Sequence, residues 1–125
     1  MRVLAPLSLA LVLALSPAAP ARADGDPVRG AEVFRKCVAC HTVESGGRNR
    51  VGPRLHGLFG RRAGAVEGFR YSDALKASGL VWDETTLDAY LKDSEGFVPG
   101  TRMYGGLTLD QDRADVIAYL RQATR

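Results

Sequence analysis

The sequence predicts an all-α domain of about four short helices, joined by long glycine-rich loops that wrap around one prosthetic group. Three observations carry that prediction. Helical signals recur along the chain, with no convincing strand between them. The segment Thr42 to Tyr71 runs for thirty residues with seven glycines and no sustained periodicity, and so long an irregular loop belongs in a compact domain only if it is functional. The third observation is the run Cys37-Val38-Ala39-Cys40-His41. Cys-x-x-Cys-His is the attachment signature of a c-type haem. Two thiols three positions apart on one helical turn can add across the two vinyl groups on one edge of the haem. The next residue then puts an imidazole under the iron from the same side. A flat apolar haem is also the core that four short helices cannot supply among themselves, because a chain this small buries little surface.

Two other readings of the cysteines were weighed. A thioredoxin-like redox pair would sit near a βαβ pattern, and nothing here resembles one. A structural zinc site needs about four ligands, and beyond these three the chain offers only His56, an acidic residue or water.

The helices follow in order. The first starts at Asp26-Pro27, an N-cap followed by proline at the first helical position. Its apolar positions Val33, Phe34, Cys37 and His41 fall on one helical face. A short one runs from Ser72 to Ser78 and stops at Gly79. A third begins near Asp83 and carries Leu87, Tyr90 and Leu91. The last opens with Thr108-Leu109-Asp110-Gln111, read as a capping box, and presents Val116, Ile117 and Leu120 on one face.

The N-terminus has the layout of a secretory signal: Arg2, the apolar run Val3 to Leu15, a breaking stretch Ser16-Pro17-Ala18-Ala19-Pro20, and Ala21-Arg22-Ala23 as the cleavage site. The run of 13 residues is short of the roughly 20 that a bilayer crossing requires, which argues against an uncleaved anchor. Residues 1–23 are therefore expected to be a signal peptide and residues 24–125 a single domain. Because c-type haem is attached outside the bacterial cytoplasm, the domain is expected in the periplasm, without stable membrane insertion. Loss of Arg2 and Arg22 leaves 15 basic against 14 acidic side chains, so the formal +3 of the whole chain overstates how basic the domain is. Nucleic-acid binding has no support.

Beyond Cys-x-x-Cys-His, several ordered motifs resemble the class I cytochromes c, of the mitochondrial type and its small bacterial relatives. The resemblance runs from about Gly30 to Thr124. Gly30 and Phe34 match the first-helix positions that pack on the last helix. Gly52-Pro53-Arg54-Leu55-His56-Gly57 matches G-P-x-L-H-G, where the Pro53 carbonyl would accept a hydrogen bond from the ligand histidine, His41, and so fix its tautomer. Phe59-Gly60-Arg61 continues the match, with Arg61 near a haem propionate. Tyr71, Ser72 and Trp82 align with propionate hydrogen-bond donors. Val98-Pro99-Gly100-Thr101-Arg102-Met103 resembles the loop bearing the sixth ligand. The resemblance thus implies Met103 opposite His41, with Thr101 beside it and the Tyr90 hydroxyl approaching the methionine sulfur. On the residues alone, Met103 is the sole thioether left once Met1 goes with the signal. Arg113 to Leu120 is close to the family's C-terminal helix. His56 is read as a structural hydrogen-bonding group, with a rival iron ligand as the alternative.

The chain departs from the family in three places. Leu75 stands where an asparagine helps hold a buried water. The segment Tyr104-Gly105-Gly106 is about one residue short, which leaves open whether Tyr104 shields the haem edge. Glu95 and Gly96 stand where lysines are usual, leaving Lys36 and Arg102 of the basic ring.

The resemblance implies a fold, the cytochrome c fold, and a function: single-electron transfer by one haem c, held through Cys37 and Cys40 with axial His41 and Met103. It implies redox-protein partners, such as respiratory or photosynthetic complexes and periplasmic dehydrogenases, and a monomer. Two alternatives stand beside the mobile carrier. One is a small haem enzyme, peroxidase-like or gas-binding, which needs Met103 off the iron. The other is a dedicated electron-accepting subunit of a periplasmic dehydrogenase.

Overall fold

The computed structural model describes residues 24–125, so the signal read at 1–23 lies outside the described residues. Five helices follow in order: α1 (Pro27–Phe34), α2 (Asp73–Ala77), α3 (Glu84–Lys92), α4 (Ser94–Phe97) and α5 (Asp110–Ala123). Among the described residues the only β pairing is an isolated bridge between Arg62 and Val81. No described helix is long and apolar enough to cross a membrane.

Local chemistry sets most of these boundaries. Asp26 caps α1 by accepting from the Val28 and Arg29 backbone N–H groups, with Pro27 at the first position. Ser72 caps α2. At α3 a reciprocal capping box forms, Thr86 N–H to the Asp83 carboxylate at 2.8 Å and Asp83 N–H to the Thr86 hydroxyl at 2.9 Å.

Three expectations need correction. The first helix does not reach His41: it ends at Phe34 with Arg35 as its C-cap, and the chain tightens into successive turns. The fifth helix, α4, is missing from the sequence reading because a single turn of Ser-Glu-Gly-Phe has no periodicity to detect. The Asp93 carboxylate makes it by accepting from Gly96 N–H at 2.9 Å. Thr108 does not cap α5. The N-cap is Leu109, without a side-chain bond: its carbonyl takes the first helical bond, from Arg113 N–H at 3.2 Å. Arg113 organises that end instead, reaching the Leu107 carbonyl, Asp88 and Asp110.

The main helix pairing is α1 on α5. A Cβ on Gly30 would lie 2.0 Å from the Asp115 carbonyl oxygen and 2.7 Å from Tyr119 Cβ, so the two backbones meet where only glycine fits. Phe34 packs against Tyr119 with ring centroids 5.2 Å apart, and Val33, Val116, Ile117 and Leu120 complete the contact with Leu87, Tyr90 and Leu91 of α3.

A fully buried carboxylate ties the pair. Asp115 accepts from Asp26 N–H at 2.8 Å, Gln111 Nε2 at 2.8 Å and Arg29 Nε at 3.0 Å. Burial alone would raise its pKa, but these donors outweigh it and hold the carboxyl below its ordinary value. With a depressed folded pKa, the ionised form's contribution is present above the unfolded value near 3.9 and is lost as pH falls through the folded one. Asp115→Asn is expected to cost about 2 kcal/mol at neutral pH. Thermal melts of the two proteins should converge as the pH drops towards the acid range; a gap that widens on acidification contradicts this account.

Candidate functional site

Beyond α1 the backbone makes short bonds: Cys37 N–H to the Phe34 carbonyl at 2.7 Å, Cys40 N–H to Cys37 at 3.1 Å and His41 N–H to Cys37 at 3.0 Å. These turns gather two thiols and one imidazole. Both cysteines are free and half-buried, so no disulfide forms. Burial and the neighbouring Cys40 push the Cys37 thiol pKa up, with Lys36 opposing. Among the described residues no group of three or more His, Cys, Asp or Glu is placed to hold a metal ion.

The His41 ring is held from two sides. Its Nδ1 lies 2.7 Å from the Pro53 carbonyl. A carbonyl only accepts, so the proton sits on Nδ1 and Nε2 keeps its lone pair. Buried Gly52 lies against the ring, where a Cβ would come within 2.4 Å of Cε1. Gly52 is itself fixed by donating to the Cys40 carbonyl at 2.8 Å. Burial lowers the His41 pKa, the Pro53 bond opposes this and Arg61 adds to it. The imidazole is thereby kept in its neutral, ligating form.

A second group gathers around Arg61. Its guanidinium donates to the carbonyls of His56 and Arg54, each at 3.1 Å, while Trp82 N–H donates to the Arg61 carbonyl at 2.9 Å. Burial lowers the Arg61 pKa, with Tyr71 opposing and Arg54 adding to the shift. Tyr71 and Ser72 are buried. The Tyr71 hydroxyl accepts from Val66 N–H at 3.1 Å and the Ser72 hydroxyl from Leu75 N–H at 3.1 Å, so each retains its proton to donate. Burial raises the Tyr71 pKa, which keeps that proton in place at neutral pH.

The third group surrounds Met103, which is half-buried against the core. Tyr90 stacks obliquely on Trp82 at 5.1 Å, and its hydroxyl bonds Thr101 Oγ1 at 2.5 Å. That bond ties the Tyr90 hydroxyl to the loop that carries Met103. Tyr104 is 89 % exposed. Leu75 packs against the core. Nδ1 of His56 is buried without a partner among the described residues, and the residue contributes its carbonyl to Arg61.

The family model described as Cytochrome c matches residues 27–124. The chain belongs to the cytochrome c family. It is 48 % identical over 104 residues to a cytochrome c of Stellaria longipes, covering 82 % of this chain and 96 % of that protein. It is 52 % identical over 103 residues to a cytochrome c2 of Rhodomicrobium vannielii, covering 82 % of each. A cytochrome c2 of Blastochloris viridis is 46 % identical over 112 residues, covering 89 % of this chain and 87 % of its own.

A cytochrome c carries one covalent haem c, and Cys37 and Cys40 have the attachment spacing. The chain is accordingly an electron-carrying haem protein. The residues present fit that group: a neutral imidazole with a free Nε2, two reduced thiols beside it, and a glycine that leaves the ring room. Two contributors escaped sequence reasoning. Gly52 was read only as part of a motif. Ser94, fully buried at the start of α4, carried no signal except the preceding Asp93.

Proposed function

We propose that this cytochrome c is a periplasmic single-electron carrier whose haem is ligated by His41 and Met103 and kept low-spin. The observation that carries the reading is the His41 arrangement. Proton on Nδ1, Pro53 as acceptor and Gly52 behind the ring together present Nε2 as a ligand. When bound, the haem supplies one-electron chemistry, its iron alternating between ferrous and ferric. His41 would hold the iron through its Nε2 lone pair, with the Pro53 acceptor making it a stronger donor. Met103 would supply the second protein ligand, and with both in place no position would be open to substrate or gas. A thioether favours ferrous iron and so raises the potential. Arg61, Tyr71, Ser72 and Trp82 hold the propionates, each keeping a donor for an anion. Export by the signal at 1–23 is part of the same reading, and the cytochrome c2 relatives are compatible with it.

The test is optical potentiometry with carbon monoxide as a second probe. The expected result is one reversible one-electron transition at positive potential, a long-wavelength Met–Fe band in the ferric state, and no rapid carbon monoxide binding by the ferrous protein. Rapid binding and a potential well below zero would instead favour the enzymatic reading.

Partner docking is proposed to use a small, largely apolar patch. Val38, Val51 and Tyr104 are 47 %, 78 % and 89 % exposed, and Lys36 and Arg102 are exposed among them in sequence. The Glu95 carboxylate is already engaged, accepting from Gly100 N–H at 3.2 Å. With few charges to steer, electron transfer to a redox-protein partner should change only a few-fold as salt rises from about 10 to 150 mM and the screening length shrinks from roughly 30 to 8 Å. Stopped-flow kinetics across that range check it; a drop of about a hundredfold marks a steered pair.

A further inference from the structure

Ser94 has no exposed surface and makes four bonds. Its hydroxyl donates to the Tyr90 carbonyl at 2.7 Å and accepts from Gly105 N–H at 3.1 Å. Its own N–H donates to the Gly105 carbonyl at 3.3 Å, and its carbonyl accepts from Val98 N–H at 2.9 Å. The two loop residues it binds, Val98 and Gly105, bracket the segment that carries Met103.

The exchange of partners is informative. Continued α-helical bonding would send Ser94 N–H to the Tyr90 carbonyl, four residues back. Here that N–H is turned to Gly105, and the hydroxyl takes its place at Tyr90. The Tyr90 carbonyl near the end of α3 therefore keeps a partner, and the loop gains two bonds at its far end. Gly105 is fitted to this contact, since a Cβ there would lie 2.4 Å from the Ser94 oxygen. The middle of the loop hangs on Tyr90 through Thr101. One residue thus ties both ends of the Met103 loop to the helix that holds its middle, Gly105 through its hydroxyl and Val98 through its backbone carbonyl.

We propose that Ser94 is a positioning residue that latches the Met103 loop and so protects Met103 from displacement by external ligands. The proposal rests on Met103 being the sixth ligand. Removing the hydroxyl leaves the Gly105 N–H and the Tyr90 carbonyl unpaired in a buried place, a loss large enough to ease loop opening about tenfold to a hundredfold.

The experiment titrates ferric holoprotein with imidazole and follows loss of the Met–Fe band in the parent, Ser94→Ala, Gly105→Ala and Val116→Ala. Gly105→Ala attacks the same contact from the other side and serves if Ser94→Ala fails to accumulate. Val116→Ala loosens the α1–α5 core while leaving every hydrogen bond of Ser94 in place. The imidazole midpoint should fall about tenfold or more in the two latch variants and stay within about twofold in Val116→Ala. An unmoved midpoint in whichever latch variant accumulates, or an equal fall in Val116→Ala, overturns the latch while Met103 ligation stands. If the parent lacks the band and Met103→Ala leaves its spectrum unchanged, the sixth-ligand reading fails and the latch with it.

Discussion

His41→Ala should leave almost no haem-bearing protein. The imidazole is the one side chain held both by the Pro53 carbonyl and by the close face of Gly52. Without it that carbonyl loses its donor, and the turns following α1 lose the group they present. In a domain built around its cofactor, binding free energy is folding free energy, so yield is expected to drop by about tenfold or more. Cys37→Ala or Cys40→Ala permits at most one thioether bond and should lower holoprotein less severely. Haem-stained gels set against total protein measure all three. Normal haem staining in the His41 variant would defeat the ligand assignment.

Met103→Ala should behave differently, because attachment uses only the thiols and His41. Covalent haem should form at near-normal yield. The long-wavelength band should vanish, and the potential should drop by about 0.1–0.2 V, a fraction of the roughly 0.8 V over which axial ligation sets haem potentials. External ligands should then reach the iron. Met103→His should restore six-coordination at a lower potential than the parent, since an imidazole favours ferrous iron less than a thioether does. If both variants keep the parent spectrum, another residue is the ligand, with His56 the first suspect.

What was legible in the sequence depended on how local its cause was. Asp26-Pro27, Ser72 and Asp83 name helix starts because capping is a matter of two or three adjacent residues. Cys-x-x-Cys-His is legible because the cofactor dictates its spacing. Thr108 misled for the opposite reason: the capping pattern was present, but the Leu109 carbonyl takes the first helical bond and Arg113 reaches back to the Leu107 carbonyl, so α5 starts at Asp110. Sequence extends α1 too far because Cys37 and His41 continue its apolar face, while the N–H groups of Arg35, Lys36, Cys37 and Cys40 already bond three residues back instead of four. Gly52 and Ser94 were not legible in their roles at all. Each matters through a residue distant in sequence, Gly52 through the His41 ring and Ser94 through Gly105, and no local pattern records such a meeting.

The Asp26–Asp115 bond joins residues 89 positions apart. On a chain that crosses the membrane N-terminus first, as the proposed export requires, α1 arrives before its partner helix. Throughout that interval the two thiols and His41 ride on an unclosed chain. Contacts of such high sequence separation also slow closure itself once the chain is complete. The cysteines are therefore most accessible early, before the α1–α5 seam sets, and a cofactor added in that window reaches both sulfurs without any helix having to be prised apart.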